Sequence, residues 1–424
     1  MKTTTLPTAS APQRTSILRR LVQRALTDLE SGTLDLHVQG PGGPVTTSFG
    51  QSVPGAPHAE ATVHDPAFWS ALALRGSIGA GEAYARGWWT SPDPVAVVRL
   101  FVRNQDALQG MEGGLALLSR PLHAALHFLN RNNHTGSRRN IRAHYDVSNA
   151  FFELFLDDTM TYSCGIFEDE RTTLHEASVA KIDQLCRMLD LQPDDHLLEI
   201  GTGWGAFALH AAREYGCRVT TTTISAEQHK LAAERFREAG LEDRITLLFE
   251  DYRGLTGQYD KLVSVEMIEA VGARFYPTFF KQCSALLRPE GTLALQAITI
   301  ADQHFDRARR SVDFIQKHVF PGSCIPSVTA LLGAATEASD LRLTRMDDIG
   351  PHYVRTLSEW RHALRARWQD ARDLGYEDDF LRQWEFYFAY CEGGFAERHI
   401  SDVQMVLQRS GARPGPQSPA LSAS

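Results

Sequence analysis

The sequence has no uninterrupted apolar run of about 18 residues, the length that a membrane-spanning helix requires. Its opening stretch, MKTTTLPTASAPQRTS, also lacks the apolar core of a secretory signal. The six cysteines contain no C-x-x-C pair, which disfavours both a zinc site and a disulfide framework. We therefore expect a cytoplasmic protein that holds no metal.

Acidic residues are absent from 113 to 145, although the whole chain has a formal net charge of −8. This basic window contains Arg120, Arg131, Arg138, Arg139 and Arg142. The negative net charge disfavours a nucleic-acid partner. A local basic segment suits an anionic membrane surface, where each basic residue contributes about 1 kcal/mol. We expect peripheral contact with the inner membrane surface, and a solvated connector is the alternative.

The length of 424 residues exceeds one typical core, so we expect two domains. We predict disordered ends over 1–15 and 410–424, a small N-terminal α+β domain over 16–125 and a larger domain over 126–409. Within the small domain, helical spacing predicts an amphipathic helix over 17–29, and alternation predicts a strand over 34–38. Two further helices are predicted over 68–74 and 76–89.

Residues 196–209, HLLEIGTGWGAFAL, hold an apolar run, three glycines at alternate positions and then a helical pattern. They predict a strand that turns tightly into a helix. Gly201, Gly203 and Gly205 let the backbone adopt positive φ and let a ligand approach main-chain N–H groups. The spacing is not G-x-G-x-x-G, and no acid follows about 20 residues later to bind a ribose. This pattern favours a smaller nucleoside ligand, such as S-adenosylmethionine, over NAD, and glycines that only pack the helix on the strand are the alternative.

Strands and helices alternate from 196 to 300. The pattern predicts strands over 219–222, 245–249, 259–265 and 292–300, and helices over 226–239 and 276–287. An S-x-x-Q capping box at Ser225 and Gln228 should begin the first of these helices. This alternation predicts an α/β fold with a doubly wound, mostly parallel, Rossmann-like sheet. In such sheets ligands lie beyond the carboxyl ends of the strands, so segments 201–205, 223–228, 251–252 and 266–272 should converge.

The remainder of the chain has a largely helical pattern, with one helix predicted over 305–318. Aromatic side chains then recur at helical spacing between 360 and 390. Aromatic residues at such spacing usually form core. Together they would also suit the roof of an apolar tunnel.

Nine segments resemble, in the same order, those of the cyclopropane-fatty-acyl-phospholipid synthase family, which are S-adenosylmethionine-dependent lipid methyltransferases. The resemblance spans nearly the whole chain and implies a class I methyltransferase fold. The N-terminal part indicates the longer, lipid-associated two-domain form of bacterial members that modify phospholipids. The segments are GEAYARGWW at 81–89, HYDVSN at 144–149, MTYSCGIF at 160–167, EIGTGWG at 199–205, TISAEQ at 223–228, DYR at 251–253, VEMIEAVG at 265–272, FIQKHVFPGSCIPS at 314–327 and YCEGGF at 390–395.

The resemblance implies transfer of a methyl group to a cis double bond of an unsaturated acyl chain in a membrane phospholipid, followed by proton loss and closure of a cyclopropane ring. The intermediate carbocation must be kept from water and is stabilised by aromatic faces. Members of the family hold a bicarbonate ion as the base. The matching positions in this sequence are Cys164, Glu269, Gln296, Ile298 and Tyr353.

Gln296 departs from the family pattern, in which many members have histidine. A neutral amide donates a hydrogen bond to an anion but neither carries a positive charge nor relays a proton. We expect it still to support ring formation, and a methylene-branched chain is the alternative product. Cys391, in YCEGGF, matches a cysteine that was long described as the nucleophile of this family. Because the chemistry needs no covalent enzyme intermediate, a buried helical thiol is the simpler interpretation.

The family pattern also implies a binding site for S-adenosylmethionine. Tyr162 and Ser163 should cover its methionine part, segment 197–205 should lie beneath it, and Glu199 should orient the glycine loop or contact the amino-acid end. Segment 223–228 should contact the ribose, and 251–253 should lie beside the adenine. The remaining residues implied are Gly201, Gly203, Trp204, Gly205, Thr223, Ser225, Gln228, Asp251, Tyr252 and Arg253.

Two other functions stay open at this point. A methyltransferase for a small soluble acceptor would need a polar acceptor pocket and a general base, whereas the aromatic segment predicts an apolar pocket. A catalytically silent lipid-binding protein of the same fold is the other, and the intact glycine loop and Glu269 disfavour it. The sequence is compatible with a homodimer.

Overall fold

The computed structural model describes residues 11–39, 43–105 and 147–412, which form two compact units. The first unit contains the described residues up to 105 together with Ser311–Val319 and Leu357–His399. The second contains 147–310, Phe320–Thr356 and 400–412. The two late segments of the first unit lie within the range 126–409 that was assigned to the larger domain. The basic window and the boundary predicted near 125 lie outside the described residues.

The elements are numbered in chain order over the described residues. The strands are β1 (Gly32–Val38), β2 (Val45–Gln51), β3 (His58–Val63), β4 (Trp89–Thr90), β5 (His196–Ile200), β6 (Arg218–Thr222), β7 (Ile245–Leu248), β8 (Tyr259–Val265), β9 (Leu287–Ile300), β10 (Arg342–Asp348) and β11 (Ile400–Gln408). The α-helices are α1 (Ala11–Leu26), α2 (Ala67–Ala85), α3 (Pro94–Arg103), α4 (Asn149–Phe152), α5 (Leu174–Met188), α6 (Ala206–Glu214), α7 (Ala226–Glu238), α8 (Tyr276–Leu286), α9 (Asp302–Ala308), α10 (Phe314–His318), α11 (Val328–Ala338), α12 (Gly350–Ala366), α13 (Trp368–Asp373) and α14 (Asp378–Ala396). No helix among the described residues is both long and apolar enough to cross a membrane.

The second unit is built on a seven-stranded sheet in the order β10-β11-β9-β8-β5-β6-β7. The strands from β9 to β7 run parallel, and β11 is antiparallel to both β9 and β10. The predicted doubly wound, mostly parallel sheet is confirmed. The sequence interpretation missed β10 and β11, because β10 is almost fully exposed and has no apolar alternation, while β11 follows a long helical segment.

Successive residues of the central strands alternate between two buried cores, one on each face of the sheet. Leu197 and Val263 belong to the core that α5 and α6 complete, whereas Leu198 and Leu262 belong to the core beneath α8. Both faces of these strands are therefore covered, as is usual for a parallel sheet. Polar residues near the carboxyl ends of these strands are the exceptions.

Several local predictions were wrong in detail. α1 begins at Ala11, within the stretch predicted to be disordered. The helix predicted over 305–318 is two helices, because Asp313 caps a new helix by accepting a hydrogen bond from the backbone N–H of Gln316. At the start of α7, Ser225 accepts from the N–H of Gln228, but the Gln228 side chain accepts from Thr223 and does not complete a capping box.

The first unit contains a four-stranded sheet in the order β2-β1-β3-β4, with the segment GEAYARGWW at the end of α2. The two helices predicted over 68–74 and 76–89 are one element, kinked at Gly76, that ends before Trp89 begins β4. A Cβ on Gly81 would lie 2.4 Å from Phe314, so glycine lets this ring approach the helix. Tyr84 donates a 2.9 Å hydrogen bond to Glu385 of α14. This segment therefore has a packing role within the first unit.

The late aromatic residues are buried within the first unit. Trp384 packs on Phe388 with ring centroids 5.7 Å apart, and Trp360 packs on the same ring at 6.1 Å. Their exposure is 3% or less. They form core there, in line with the more ordinary of the two sequence interpretations.

Candidate active site

One cavity of about 250 Å³ lies in the second unit, at the carboxyl edge of its parallel strands. The loops that follow β5, β6, β7 and β8 meet around it, as in other sheets that reverse their winding at this point. The four segments expected to converge all contribute to its walls. Their contributions include Gly201, Gly203, Trp204, Thr223, Ser225, Gln228, Asp251, Tyr252, Glu266 and Val271.

Glycine is needed at positions 203 and 205 for different reasons. Both have positive φ, 53° and 93°. A Cβ on Gly203 would meet no protein atom within 4 Å, whereas one on Gly205 would lie 2.6 Å from the ring of Phe236 in α7. Gly203 therefore leaves room for a ligand at the cavity wall, and Gly205 lets α7 pack against the turn.

The ends of β6 and β7 present polar side chains that are fixed by internal hydrogen bonds. Thr223 donates to Oε1 of Gln228 at 2.9 Å. Asp251 accepts two hydrogen bonds from the guanidinium group of Arg253, at 2.7 and 2.6 Å. These pairs hold the polar atoms of both loops in place beside the cavity.

Aromatic side chains join the segments that carry the resemblance. Tyr162 and Trp204 line the cavity, and both pack on Phe152 with ring centroids 5.4 and 4.9 Å apart. The indole N–H of Trp204 donates to Oδ1 of Asn149 at 2.9 Å. These contacts hold the glycine turn against α4 and the loop before α5. The first three residues of the HYDVSN segment lie outside the described residues.

A buried amine and a buried acid lie at the base of the cavity. Nζ of Lys181, on α5, donates to Oγ of Ser163 at 2.8 Å. Burial lowers the pKa of Lys181, and the charge of Glu266 opposes that shift. At the end of β5, Glu199 accepts a 2.6 Å hydrogen bond from Thr221, and burial raises the pKa of Glu199 to about 7. The charge at this end of the cavity therefore changes near neutral pH.

Glu266 follows β8 directly and lies at the centre of a polar cluster. Its φ is 45°, in the left-handed region that residues with side chains seldom adopt. Its carboxylate accepts three hydrogen bonds: from the backbone N–H of Cys164 at 2.8 Å, from Nε2 of Gln296 at 2.8 Å and from the hydroxyl of Tyr353 at 2.6 Å. Glu266 also lines the cavity. The cluster thus presents a fixed carboxylate at the cavity wall.

The amide nitrogen and the amide oxygen of Gln296 both form hydrogen bonds within the protein. Nε2 donates to Glu266 and, at 2.9 Å, to Oδ2 of Asp402, while Oε1 accepts from Gln404 at 3.0 Å. Gln404 in turn accepts from Gln184 of α5 at 2.9 Å. Burial, followed by the charge of Glu266, raises the pKa of Asp402 well above its usual range.

Glu269 lies one turn beyond Glu266 and is buried. Its Oε1 accepts a 2.5 Å hydrogen bond from the backbone N–H of Ile298, whereas its Oε2 is buried and has no hydrogen-bond partner among the described residues. Burial, with a further contribution from the charge of Glu266, raises the pKa of Glu269 to about 8. Glu269 is therefore mostly protonated at neutral pH.

The positions that the resemblance assigns to a bicarbonate ion can be tested against this geometry. Three of them, Cys164, Gln296 and Tyr353, donate to the carboxylate of Glu266, and the other two bond each other. A bicarbonate at their centre would meet a second negative charge and donors that are already engaged. The residues in this arrangement do not fit a bound bicarbonate.

Cys391 lies in α14 of the first unit and does not line the cavity. Burial raises the pKa of its thiol well above the usual range, and the charge of Asp313 adds to the shift. The thiolate needed for a nucleophile is therefore suppressed.

Sequence analysis did not identify Lys181, Asp402 or Gln404 as site residues, and it noted Glu266 only as part of a converging loop. The signal for Lys181 was a lysine on the apolar side of an amphipathic helix. For Asp402 and Gln404 the signal was two polar residues with a two-residue period in an apolar strand. The register pairs Gln404 with Gln296 across β11 and β9, which the sequence alone does not reveal.

Comparisons with known proteins found a matching family, similar individual proteins and similar crystal structures. Residues 132–405 match the family model described as mycolic acid cyclopropane synthetase. The chain is 37% identical over 387 residues to the tuberculostearic acid methyltransferase UfaA1 of Mycobacterium tuberculosis, covering 86% of each chain. It is 34% identical over 369 residues to the cyclopropane-fatty-acyl-phospholipid synthase of Escherichia coli, covering 85% of this chain and 90% of that protein. A crystal structure of the mycolic acid cyclopropane synthase CmaA1 with SAH and CTAB superposes with a TM-score of 0.60 at 31% identity, over 64% of this chain and 98% of that one.

Proposed function

Because the chain belongs to the mycolic acid cyclopropane synthetase family, we propose that it adds a methyl carbon to the cis double bond of an unsaturated acyl chain in a membrane phospholipid and closes a cyclopropane ring. Membership makes the protein an S-adenosylmethionine-dependent methyltransferase whose substrates are unsaturated fatty acyl chains. The phospholipid and the ring are the parts that the proposal adds.

The observation that carries the proposal is that one cavity contains both the glycine turn and the wall formed by Glu266. The turn leaves open space at Gly203, and the loops after β6 and β7 supply fixed polar groups. These groups suit the ribose and adenine of S-adenosylmethionine, with Tyr162 and Ser163 at its methionine end. When bound, S-adenosylmethionine supplies an electrophilic methyl group on a sulfonium centre.

The other half of the reaction needs groups that act after methyl transfer. Attack by a double bond leaves a carbocation, which then loses a proton. The buried acids beside the cavity can manage that proton because their pKa values are shifted by burial. A catalytically silent binding protein has no need of such a cluster.

A phospholipid substrate is supported by the E. coli relative, which is named for phospholipid and is covered over 90% of its length. The basic window would bring the enzyme to an anionic bilayer. That docking should weaken with added salt and on Arg138/Arg139→Ser replacement, as measured by vesicle sedimentation. Salt-independent binding would point instead to insertion of apolar side chains.

A methylene-branched product is the second candidate, and Gln296 is the observation that favours it. Its amide hydrogens are both taken by acidic side chains, Glu266 and Asp402, so it cannot support a bound anion as a histidine could. The relative named as a tuberculostearic acid methyltransferase also supports methylation of a chain without a ring.

Product analysis separates these candidates. The purified protein would be incubated with S-adenosylmethionine and vesicles of unsaturated phosphatidylglycerol, and the released acyl chains would be compared with ring and branched standards by gas chromatography and mass spectrometry. We expect a cyclopropane chain one carbon heavier than the substrate. A methylene-branched chain alone would replace the ring assignment, and an unaltered chain would overturn the proposed function.

A further inference from the structure

We propose that the carboxylate of Glu266 is the proton acceptor of this reaction, an internal base in the position where the resemblance implies a bound bicarbonate. The inference rests on the proposed function and deepens it. It assigns a catalytic role to a residue that the family pattern of five positions does not include.

The backbone places Glu266 where the reaction must occur. It follows the strand next to β5, so its side chain lies beside the glycine turn at the carboxyl edge of the sheet. Its N–H donates to the backbone oxygen of Gln296 at 2.9 Å, which holds the residue at φ 45°. A left-handed conformation at a residue with a side chain persists only where the surroundings enforce it, and such positions cluster at functional sites.

Three donors fix the carboxylate in place. They come from three separate parts of the chain: the backbone of Cys164, the amide of Gln296 on β9 and the hydroxyl of Tyr353 on α12. Hydrogen bonds to a carboxylate stabilise the ionised state. These donors are the ones expected to hold bicarbonate, so the protein's own carboxylate takes the place of that ion.

The two acids nearest to Glu266 have raised pKa values. Asp402 and Glu266 both accept from Nε2 of Gln296, and burial, followed by the charge of Glu266, raises the pKa of Asp402. Glu269 is mostly protonated at neutral pH for the same two reasons. The buried ammonium of Lys181 interacts favourably with Glu266. Glu266 is thus the acid of this group that has both three donors and the Lys181 cation to interact with.

The other acids that line the cavity have different partners. Glu199 accepts from Thr221 at the base of the turn, and Asp251 is paired with Arg253. Glu250 is exposed to solvent. Glu269 does not line the cavity. Glu266 combines access to the cavity with a set of donors from outside its own loop.

The step balances as follows. The π electrons of the double bond form a C–C bond to the methyl carbon, the C–S bond breaks, and sulfur keeps that electron pair in S-adenosylhomocysteine. An oxygen of Glu266 then takes a proton from the transferred carbon, and the C–H electron pair closes the ring onto the cationic carbon. If a hydride first shifts from the methyl-bearing carbon to the neighbouring cationic carbon, the same proton transfer places that electron pair in the C=CH2 double bond of an open, methylene-branched chain. Glu266 releases its proton to solvent when the product leaves.

Variants at this position test the proposal. Glu266→Gln keeps the shape and removes the base, while Glu266→Gly also relieves the backbone and opens space among the three donors. Asp190→Gly is the matched control, since Asp190 is an exposed acid with φ 50° outside the cavity. S-adenosylhomocysteine formation on unsaturated vesicles and S-adenosylmethionine binding by calorimetry would be measured, with and without bicarbonate.

We expect both Glu266 variants to lose turnover by about 10²–10⁴-fold, with cofactor affinity changed only a few-fold. Added bicarbonate or formate should restore turnover to Glu266→Gly but not to Glu266→Gln. The wild type and Asp190→Gly should be indifferent to bicarbonate. A wild type that loses turnover in carbonate-free buffer, or a Glu266→Gln enzyme with near-normal turnover, would overturn the proposal. A wild type that forms no S-adenosylhomocysteine from unsaturated phospholipid would instead overturn the proposed function on which it rests.

Discussion

The hydroxyl of Tyr353 donates a 2.6 Å hydrogen bond to Oε2 of Glu266, which links α12 to the end of β8. A hydrogen bond to a charged group contributes about 1.5–3 kcal/mol. If this bond holds the base in place, Tyr353→Phe should lower turnover by roughly 10- to 100-fold while S-adenosylmethionine binding stays nearly unchanged.

Tyr215→Phe is the matched control for that measurement, because Tyr215 donates a 2.7 Å hydrogen bond to Asp183 away from the cavity. It should lose some stability and keep its turnover. Equal turnover in the two variants would show that the Tyr353 hydroxyl has a structural role alone.

Gly203 and Gly240 offer a comparison of equal backbone strain. Both have positive φ, 53° and 65°, and neither has a protein atom within 4 Å of a built Cβ. Valine at either position should cost similar stability, but only at Gly203 would the side chain fill ligand space. We expect calorimetric binding of S-adenosylmethionine to be abolished in Gly203→Val and retained in Gly240→Val. Retained binding in both would remove the glycine turn from the cofactor site.

Glu269 should make stability depend on pH. Its pKa of about 8 in the folded protein lies above the ordinary value of 4.5, so the native state holds a proton that the unfolded chain releases. The unfolding free energy of the wild type should therefore fall as pH rises from about 4.5 to about 8. Glu269→Gln has no titrating group at this position. The difference between its melting temperature and that of the wild type should therefore grow in favour of the variant as the pH rises across that range.

Glu227→Gln, which changes an exposed acid in the first turn of α7, is the control for the pH series. Its melting temperature should differ from that of the wild type by a nearly constant amount. A constant difference for Glu269→Gln as well would contradict the assigned burial of that carboxyl.

Gln296→Leu should be strongly destabilising. The change removes the donor to Glu266 and Asp402 and the acceptor for Gln404. Each buried polar group left without a partner costs about 1–3 kcal/mol. The urea midpoint of Gln296→Leu should be much lower than that of Gln184→Leu. The Gln184 change removes a single hydrogen bond, the one to Gln404. Similar midpoints would mean that water or side-chain movement satisfies the cluster.

The parallel half of the sheet could be predicted from sequence because β5 and the second half of β9 are mostly apolar, β6 is rich in β-branched residues, and helical patterns separate the strands. The edge strand β10 could not, since its exposed polar residues lack alternation. The helix predicted over 305–318 failed for a local reason, the cap at Asp313, which outweighed apolar periodicity.

The candidate site, too, could be predicted from sequence only in part. The glycine turn is a local feature, and the sequence predicted its ligand class from spacing alone. The role of Gln296 depends on the register of β11 against β9, which brings Asp402 and Gln404 beside it. The position of the Glu266 carboxylate depends on hydrogen-bond donors from residues 164, 296 and 353. Long-range pairings of this kind leave no periodic signal in the sequence.

The most direct test of the account is the dependence of S-adenosylhomocysteine formation on an acyl double bond. Vesicles of saturated and monounsaturated phosphatidylglycerol with the same chain length would be compared in the same assay, and lost double bonds would be counted by mass spectrometry. The account predicts S-adenosylhomocysteine from the unsaturated vesicles only, in equal amount to the double bonds lost. Formation at the same rate from saturated vesicles, or only from a small soluble acceptor, would contradict it.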